Sequence, residues 1–519
     1  MRCNMELFVK IEKGRYVDSL ETLFSSTVFN EQPGIETGNI GMATDAFKDV
    51  NKELGLLTPE IAALSEGDYV IVAKAESKEA FEAAIAATEA VVKQSASKES
   101  EVSFGSVADA VRYNPRANLC QISVPGEYAL EEVKKALDAD LHCCVFSNNV
   151  PLSDEREMKE LALSKGLLCM GPDCGVANIN GAALVLSSIN ARGPFGIVGA
   201  SGCGIQHVAA ILHEAGSGVS QTIGTGGNDL KAEVGGLMML AGIDVLEADL
   251  ETKYIVLIAR KSADNVKPKL LERIKACRKP CVVFFMDCTR EQIESLGAIY
   301  AANLDDCAEQ CLKLVGKSCR FETDEELWAM AKEAVAGMND TQKYVRGAFS
   351  GGTYMDEAMH TMEPLIGDIY SNAPLREDLR LADSYVSKAN TCIDYGEEEF
   401  TLGRPHPAID ASIRRPAILR EASDPETAVI LLDFILTPPG HPDPAGYVAG
   451  DILAAKAMVK RRGGDLAVVA SVLGTTADFQ NIDEQRKKLR DAGVYCVSTN
   501  CRAARLAGMI VKLKKEKDA

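Results

Sequence analysis

The chain has 519 residues, a formal net charge of −19 and 46% hydrophobic residues, enough for about three or four domains of roughly 150 residues each. The acidic balance excludes nucleic acid and anionic membrane as main partners, because both repel an acidic surface. No apolar run reaches the roughly 18 residues of a membrane span. The start MRCNMELFVKIEKGRY is too charged for a secretory signal. The 16 cysteines include no C-x₂-C pair, which points to reduced thiols in a cytoplasmic protein and to no metal site.

In chain order, short apolar runs predict strands at 68–75, 119–124, 142–147, 167–172, 195–200, 254–259, 281–286, 428–435, 466–473 and 494–499. Amphipathic patterns such as ALEEVKKALDA, QHVAAILHEAG, NVKPKLLERIKACR and DEQRKKLRDAG lie between them. Apolar strands separated by helices predict parallel sheets covered on both faces. The expected class is α/β, with several doubly wound Rossmann- or flavodoxin-like domains and parallel sheets. KQSASKESE (93–101) predicts a linker near 95–102, and the strandless stretch 320–344 predicts a helical connection. KLKKEKDA (512–519) predicts a solvated, frayed tail. The resulting division is 1–95, 96–190, 191–318, a helical linker 319–342, 343–511 and the tail 512–519.

The stretch FGIVGASGCGIQHVAAI (195–211) carries a predicted strand directly into a helix. Ser201 can cap that helix by accepting a backbone N–H, and Gly202 lets backbone approach a ligand closely. The free N–H groups of the first turn form an anion site at the carboxyl end of a strand. Any capped helix start shares these features. The turn lacks the Lys-Ser/Thr of a nucleotide P-loop and is a poor dinucleotide fingerprint. An internal echo bears on it: GASGCGIQHVAAI (199–211) resembles GAFSGGTYMDEAM (347–359). An anion held between two helix starts, at Ser201–Gly202–Cys203 and Gly351–Gly352–Thr353, would be neutralised without a cationic patch. Duplication of a fold unit with no shared site would leave the same echo.

Other loops carry weaker signals. In IGTGGNDL (223–230), Asn228 and Asp229 can hold backbone or a polar substrate. In GPDCGVANIN (171–180), Cys174 is a thiol with no histidine near it in sequence, so an inert buried residue is the default. In DYGEEEFTLGRPHPAID (394–410), Arg404 can fork a carboxylate or phosphate and His406 can move a proton. His441 and Asp443 in TPPGHPDPAG rank lower, and His207, His213 and His360 fall on helices as packing or surface residues.

Taken together, these motifs resemble a known family. SVADAV, ISVPGEYALEEVKKALDAD, NNVP, MGPDCGV, GIVGASGCGIQHVA and IGTGGNDL follow the order of landmarks in the α subunit of succinyl-CoA synthetase, over residues 102–316. SGGTYMDEA, CIDYGEEE and VLGTTADF, over 343–511, resemble the carboxyl-terminal domain of its β subunit. With YVDSLETLFSS and GIETGNIGMATD added, the whole chain resembles the FdrA family. The resemblance implies a succinyl-CoA synthetase-like fold: an FdrA-type amino-terminal α/β domain, a CoA-binding-like Rossmann domain, a flavodoxin-fold domain and a second synthetase-like domain. It implies phosphate held by Ser201, Gly202, Cys203, Gly351, Gly352 and Thr353. It puts Asn149, Asp173, Cys174, Gly226, Gly227, Asn228 and Gly396 at the substrate.

The departures shape the expected function. Ser295 stands where the synthetase carries its phosphoryl-bearing histidine. No stretch resembles an ATP-grasp domain, and the glycine turn that binds CoA is not found. The resemblance therefore implies one subunit of a phosphate-using carbamoyltransferase. It would convert oxalurate and phosphate to oxamate and carbamoyl phosphate in purine and allantoin breakdown, with Arg404 and His406 as catalytic residues. On this reading the chain needs no bound cofactor and takes small anionic substrates. It works with partner subunits, with homo-oligomerisation left open. The alternatives are an acyl-CoA ligase that uses CoA with partner-supplied ATP-grasp and histidine, and a non-catalytic scaffold or regulatory subunit.

Overall fold

The structure, a computed structural model, describes residues 5–15, 17, 19–30, 32–96, 102–401 and 406–518. It is mixed α/β and holds four sheets. No described helix is long and apolar enough to cross a membrane.

The first sheet comprises β1 (Glu6–Glu12), β2 (Ile35–Met42) and β3 (Tyr69–Ala75) in the order β1-β3-β2. Both pairings are antiparallel, which corrects the expectation of parallel sheets throughout. Its central strand β3 is apolar because helices cover it on both sides. Ile71 and Ala73 pack with Phe29 and Phe81, while Val70 and Val72 pack with Phe47 and Ile61. The helix Lys78–Ala96 runs into the stretch read as a linker, and residues 97–101 of that stretch lie outside the described residues.

The second sheet is small and parallel: β4 (Leu119–Ile122), β5 (His142–Val145) and β6 (Cys169–Met170). The third has seven strands: β7 (Val176–Ile179), β8 (Ala182–Val185), β9 (Arg192–Gly199), β10 (Val219–Gly224), β11 (Tyr254–Ala259), β12 (Cys281–Phe285) and β13 (Ile299–Tyr300). Their order is β13-β12-β11-β9-β10-β7-β8. The hairpin β7–β8 pairs antiparallel onto β10. Residues 176–185, grouped with the preceding unit in sequence, therefore edge this sheet instead.

The fourth sheet is wholly parallel: β14 (Tyr344–Phe349), β15 (Ile369–Ser371), β16 (Asn390–Asp394), β17 (Thr427–Ile435), β18 (Ala467–Leu473) and β19 (Tyr495–Val497). Its order is β15-β16-β14-β17-β18-β19. The helix Asp324–Ala334 opens on a reciprocal Thr323–Glu326 capping box and buries Leu327 and Ala331 completely. It is thus a packed layer as well as a connection. The last helix, Asn500–Asp518, corrects the frayed tail: Lys514 is 3% exposed and Lys515 Nζ donates to the Ile366 carbonyl at 2.9 Å. The Lys514 stem is covered by the fold, and the Lys515 ammonium finds a backbone acceptor.

One apolar cluster runs through both large sheets. It joins Val208 and Leu212 from one unit to Met355, Met359, Ala504 and Ile510 from the other. The helices Gly202–Glu214 and Gly352–Ile366 therefore meet inside a shared core.

Candidate anion site between two helix starts

Each half of the site follows from strand order. In the seven-stranded sheet, β9 and β11 are neighbours whose onward connections lead to opposite sides. In the six-stranded sheet, β14 and β17 stand in the same relation. Such reversals leave a crevice at the carboxyl ends of the strands. Ser201 follows β9, Arg260 follows β11, Ser350 follows β14, and Asp433 lies near the end of β17.

At the first start, Ser201 Oγ accepts the Gly204 N–H at 2.9 Å, as the sequence predicts. At the second, Gly351 is the N-cap and provides no side-chain cap. First-turn N–H groups there are left for another acceptor. Ser201 Oγ lies 2.7 Å from Thr353 Oγ1, so the two starts touch hydroxyl to hydroxyl. This approach dictates the glycines. A Cβ on Gly351 would fall 2.5 Å from Cys203 Sγ. One on Gly352 would fall 2.5 Å from Asp394 Oδ2 and 2.9 Å from the Arg260 guanidinium. Ser201, Gly202, Cys203, Gly351, Gly352 and Thr353 are thus brought together around one point.

Charged groups that the sequence reading passed over surround that point. Arg260 pairs through Nε with Asp356 Oδ2. Burial opposes its charge, but Asp356, Asp394 and Glu397 together raise its pKa. Asp394 is 3% exposed. Burial, reinforced by Glu397, pushes its carboxyl up to about 8, against the pull of the Gly396 N–H and Arg260. It therefore holds a proton near neutral pH and can donate to an anion. Burial, with Asp433 and Asp394, also lifts Cys203 well above the ordinary thiol range, so Cys203 is present as a neutral thiol and not as a thiolate nucleophile. Asp433 is fully buried and anchors the second turn. Its Oδ1 accepts the Ser350 N–H at 2.9 Å, its Oδ2 accepts the Ser350 hydroxyl at 2.8 Å, and Arg414 donates to Oδ1 at 2.7 Å.

The remaining predicted residues divide between the site and the scaffold. His406 neighbours Gly396: a Cβ on that glycine would lie 2.8 Å from His406 Nε2. Burial, then Arg414, pushes His406 down to about 4, so its ring is neutral. Arg404 lies outside the described residues. Gly226, with φ of 84°, turns tightly against the Pro172 carbonyl, and Gly227 faces Asp173. Partial burial, and behind it Glu155 and Glu397, raise the Asp173 carboxyl; the residue stays exposed, so water screens those charges. Asn228 is partly buried, and Asn149 is exposed with φ of 55°. Cys174 is 1% exposed with its sulfur 3.9 Å from Cys144 Sγ, a thiol placed in the core. Asp229 holds backbone, accepting from Met238 N at 3.1 Å and Met239 N at 2.9 Å, and pairs with the buried Lys159. His441 and Asp443 form a helix-capping turn. His213 Nδ1 accepts from Ala191 N at 2.9 Å, and His360 is exposed. Ser295 ends the short helix Arg290–Glu294 and donates to Gln292 O at 2.7 Å.

The sequence suggests a packing or surface role for His207, and the structure gives it a larger part. It is 2% exposed and ties the units together, with Nδ1 2.6 Å from Tyr354 Oη and Nε2 3.1 Å from Asp305 Oδ1. Tyr354 directly follows Thr353, so this buried chain braces the second helix start against the first. Among the described residues no cluster of three or more His, Cys, Asp or Glu side chains could hold a metal ion.

Residues 348–510 match the family described as CoA-ligase. Residues 5–107 match the family described as AllF, heavy metal-associated domain. The chain is 40% identical over 505 residues to YahF of Escherichia coli strain K12, covering 97% of this chain and 98% of YahF. It is 30% identical over 189 residues to the alpha 1 subunit of an ADP-forming succinate–CoA ligase of Archaeoglobus fulgidus, covering 35% of this chain and 62% of that subunit. The chain thus spans less than two thirds of that enzyme subunit. Among solved structures, PH0766 of Pyrococcus horikoshii OT3 is 14% identical with a TM-score of 0.33, over 81% of this chain and 90% of PH0766. The CoA-ligase matches overturn the carbamoyltransferase reading and its place in purine and allantoin breakdown. The kinship is with CoA ligases, which was the first alternative above. With a CoA-ligase domain at its carboxyl-terminal end and 40% identity along nearly its whole length, the chain belongs to the family of Escherichia coli YahF.

Proposed function

We propose that the chain performs the CoA-side step of an acyl-CoA ligase: exchange of CoA for phosphate on an acyl group at the paired helix starts. The narrower kinship with the FdrA family belongs to the same proposal. The observation that carries it is the 2.7 Å meeting of Ser201 and Thr353, which aims two helix N-termini at one point. In the step, a phosphate oxygen attacks the thioester carbon, the C–O bond forms, and the C–S bond breaks. CoA leaves as a thiolate and takes up the proton that phosphate gives up. First-turn N–H groups would hold phosphate and the developing oxyanion. Asp394, protonated near neutral pH, would donate a further hydrogen bond, and Arg260 would offset the charge of the bound dianion.

Ser295 lies where the resemblance puts the phosphoryl-carrying histidine. The nucleotide-using half of the reaction would then come from a partner chain. The exchange step itself needs no ATP, so the full chain can be tested alone. Incubation with acetyl-, succinyl- or malonyl-CoA and inorganic phosphate should give free CoA and acyl phosphate in equal amounts, read by chromatography and ³¹P NMR. CoA release without acyl phosphate, or none from any of the three thioesters, overturns the proposal.

A further inference from the structure

A cavity opens in the joint between the two large units, behind the helix starts. Its volume is about 300 Å³, at the lower end of the range for small-molecule sites, which favour such joints. Its walls are apolar where Ala210, Ile211, Phe321 and Leu473 face it. Polar side chains line the rest, and two covered ones lack firm partners within the described residues. Ser471 is 3% exposed, and its hydroxyl has no hydrogen-bond partner among the described residues. Arg486 has a largely covered side chain, 27% exposed, and among the described residues its one ion pair is a long 3.9 Å contact with Asp483. A buried hydroxyl left unpaired is costly, so an occupant that engages Ser471 offsets that cost.

The other charged groups at this cavity are already paired. Arg320 is 83% exposed and bonded to Glu326 at 2.6 Å. Glu214 accepts from Thr476 N at 2.7 Å and Thr476 Oγ1 at 3.0 Å. His207 is held between Tyr354 and Asp305. One loosely held guanidinium and one orphan hydroxyl suit a single negative charge. They do not supply the many donors that a phosphate dianion takes.

We propose that this cavity binds a small monocarboxylate with an apolar body, its carboxylate between Arg486 and the Ser471 hydroxyl and its chain against Ala210, Ile211 and Leu473. The site is distinct from the paired helix starts and does not depend on the acyl-CoA reading. Its occupant would lie against His207 and Tyr354, the chain that braces Thr353.

The test is calorimetric titration of the full chain with hexanoate, hexanamide and hexylammonium, none of which requires turnover. Hexanoate should bind at least tenfold more tightly than the other two. Arg486→Gln, a change on a partly exposed helix, should weaken hexanoate at least tenfold. Ser471→Ala should weaken it about threefold, and Ala210→Leu should remove binding by filling the cavity while the folded circular-dichroism spectrum persists. Equal binding of hexanoate and hexanamide, no binding at 10 mM, or hexanoate affinity unchanged by Arg486→Gln overturns the proposal. Any of these results leaves the CoA-for-phosphate assay unaffected, so the two failures are separable.

Discussion

The two helix starts look like copies in sequence and are built differently. In GASGCG the strand ends at Gly199 and Ser201 sits directly at the N-cap, where its hydroxyl takes the Gly204 N–H. In GAFSGGTY the strand runs on to Phe349, and the serine falls one position before the cap. Ser350 then turns inward to Asp433, the cap falls to Gly351, and the hydroxyl at the shared point comes from Thr353. A shift of one residue moves a serine from capping to anchoring. The first half caps one N–H of its first turn with its own serine, and the second has no side-chain cap and relies on a buried ion pair.

This asymmetry sets an order of effects. Asp433→Ala should be the most damaging change, because it strands Arg414 as a buried charge without its partner; urea unfolding should show a loss of about 3–5 kcal/mol. Next comes Gly352→Ala, whose methyl would collide with Asp394 and Arg260. It should slow CoA release about a hundredfold, on the order of 2.7 kcal/mol of barrier, without a matching fall in melting temperature. The equivalent change in the first half, Gly202→Ala, meets only Val176 at 3.4 Å and should leave the rate within about threefold. A comparable loss from both alanines would remove the distinction between the halves.

The charge at the second half gives a pH signature. Asp394 is raised to about 8, so its proton is present below that pH and supports anion binding. Sulfate affinity should hold steady up to about pH 8 and then fall about tenfold per pH unit. Asp394→Asn, which always donates, should flatten the profile. A wild-type profile without a break would remove Asp394 from the site. Of the two stability losses the smaller belongs to Ser201→Ala, which should cost about 1 kcal/mol through the lost cap, measured by denaturant unfolding.

What sequence could reveal followed apolar pattern. The β9 turn was legible because FGIVGA is continuously apolar and the capping serine is adjacent. β14 and β16 were not legible as strands. YVRGAF carries Arg346, buried against Glu421 and Asp424, and NTCID is polar at both ends. That second strand delivers Asp394, so a site residue was lost together with its strand. Arg260 escaped for another reason: the strand before it was evident, but its place at the site depends on β11 lying beside β9, which is a fact of sheet order. Asp433 was visible only as the end of an apolar run, since its partners Ser350 and Arg414 are 83 and 19 residues away. The antiparallel first sheet was hidden because β1 is partly exposed and carries Lys and Glu, while β2 is interrupted by Glu, Asn and Gly.

The continuous apolar core between the two large units has a consequence for how the site fails. When two halves of a site ride on separate bodies, their encounter is an equilibrium that dilution or a hinge can shift. Here the surfaces behind the two helix starts form one interior, so the halves cannot part without exposing that interior to water. Their meeting is fixed by the folding equilibrium itself, at a stoichiometry written into a single chain, and it is lost only when the chain unfolds.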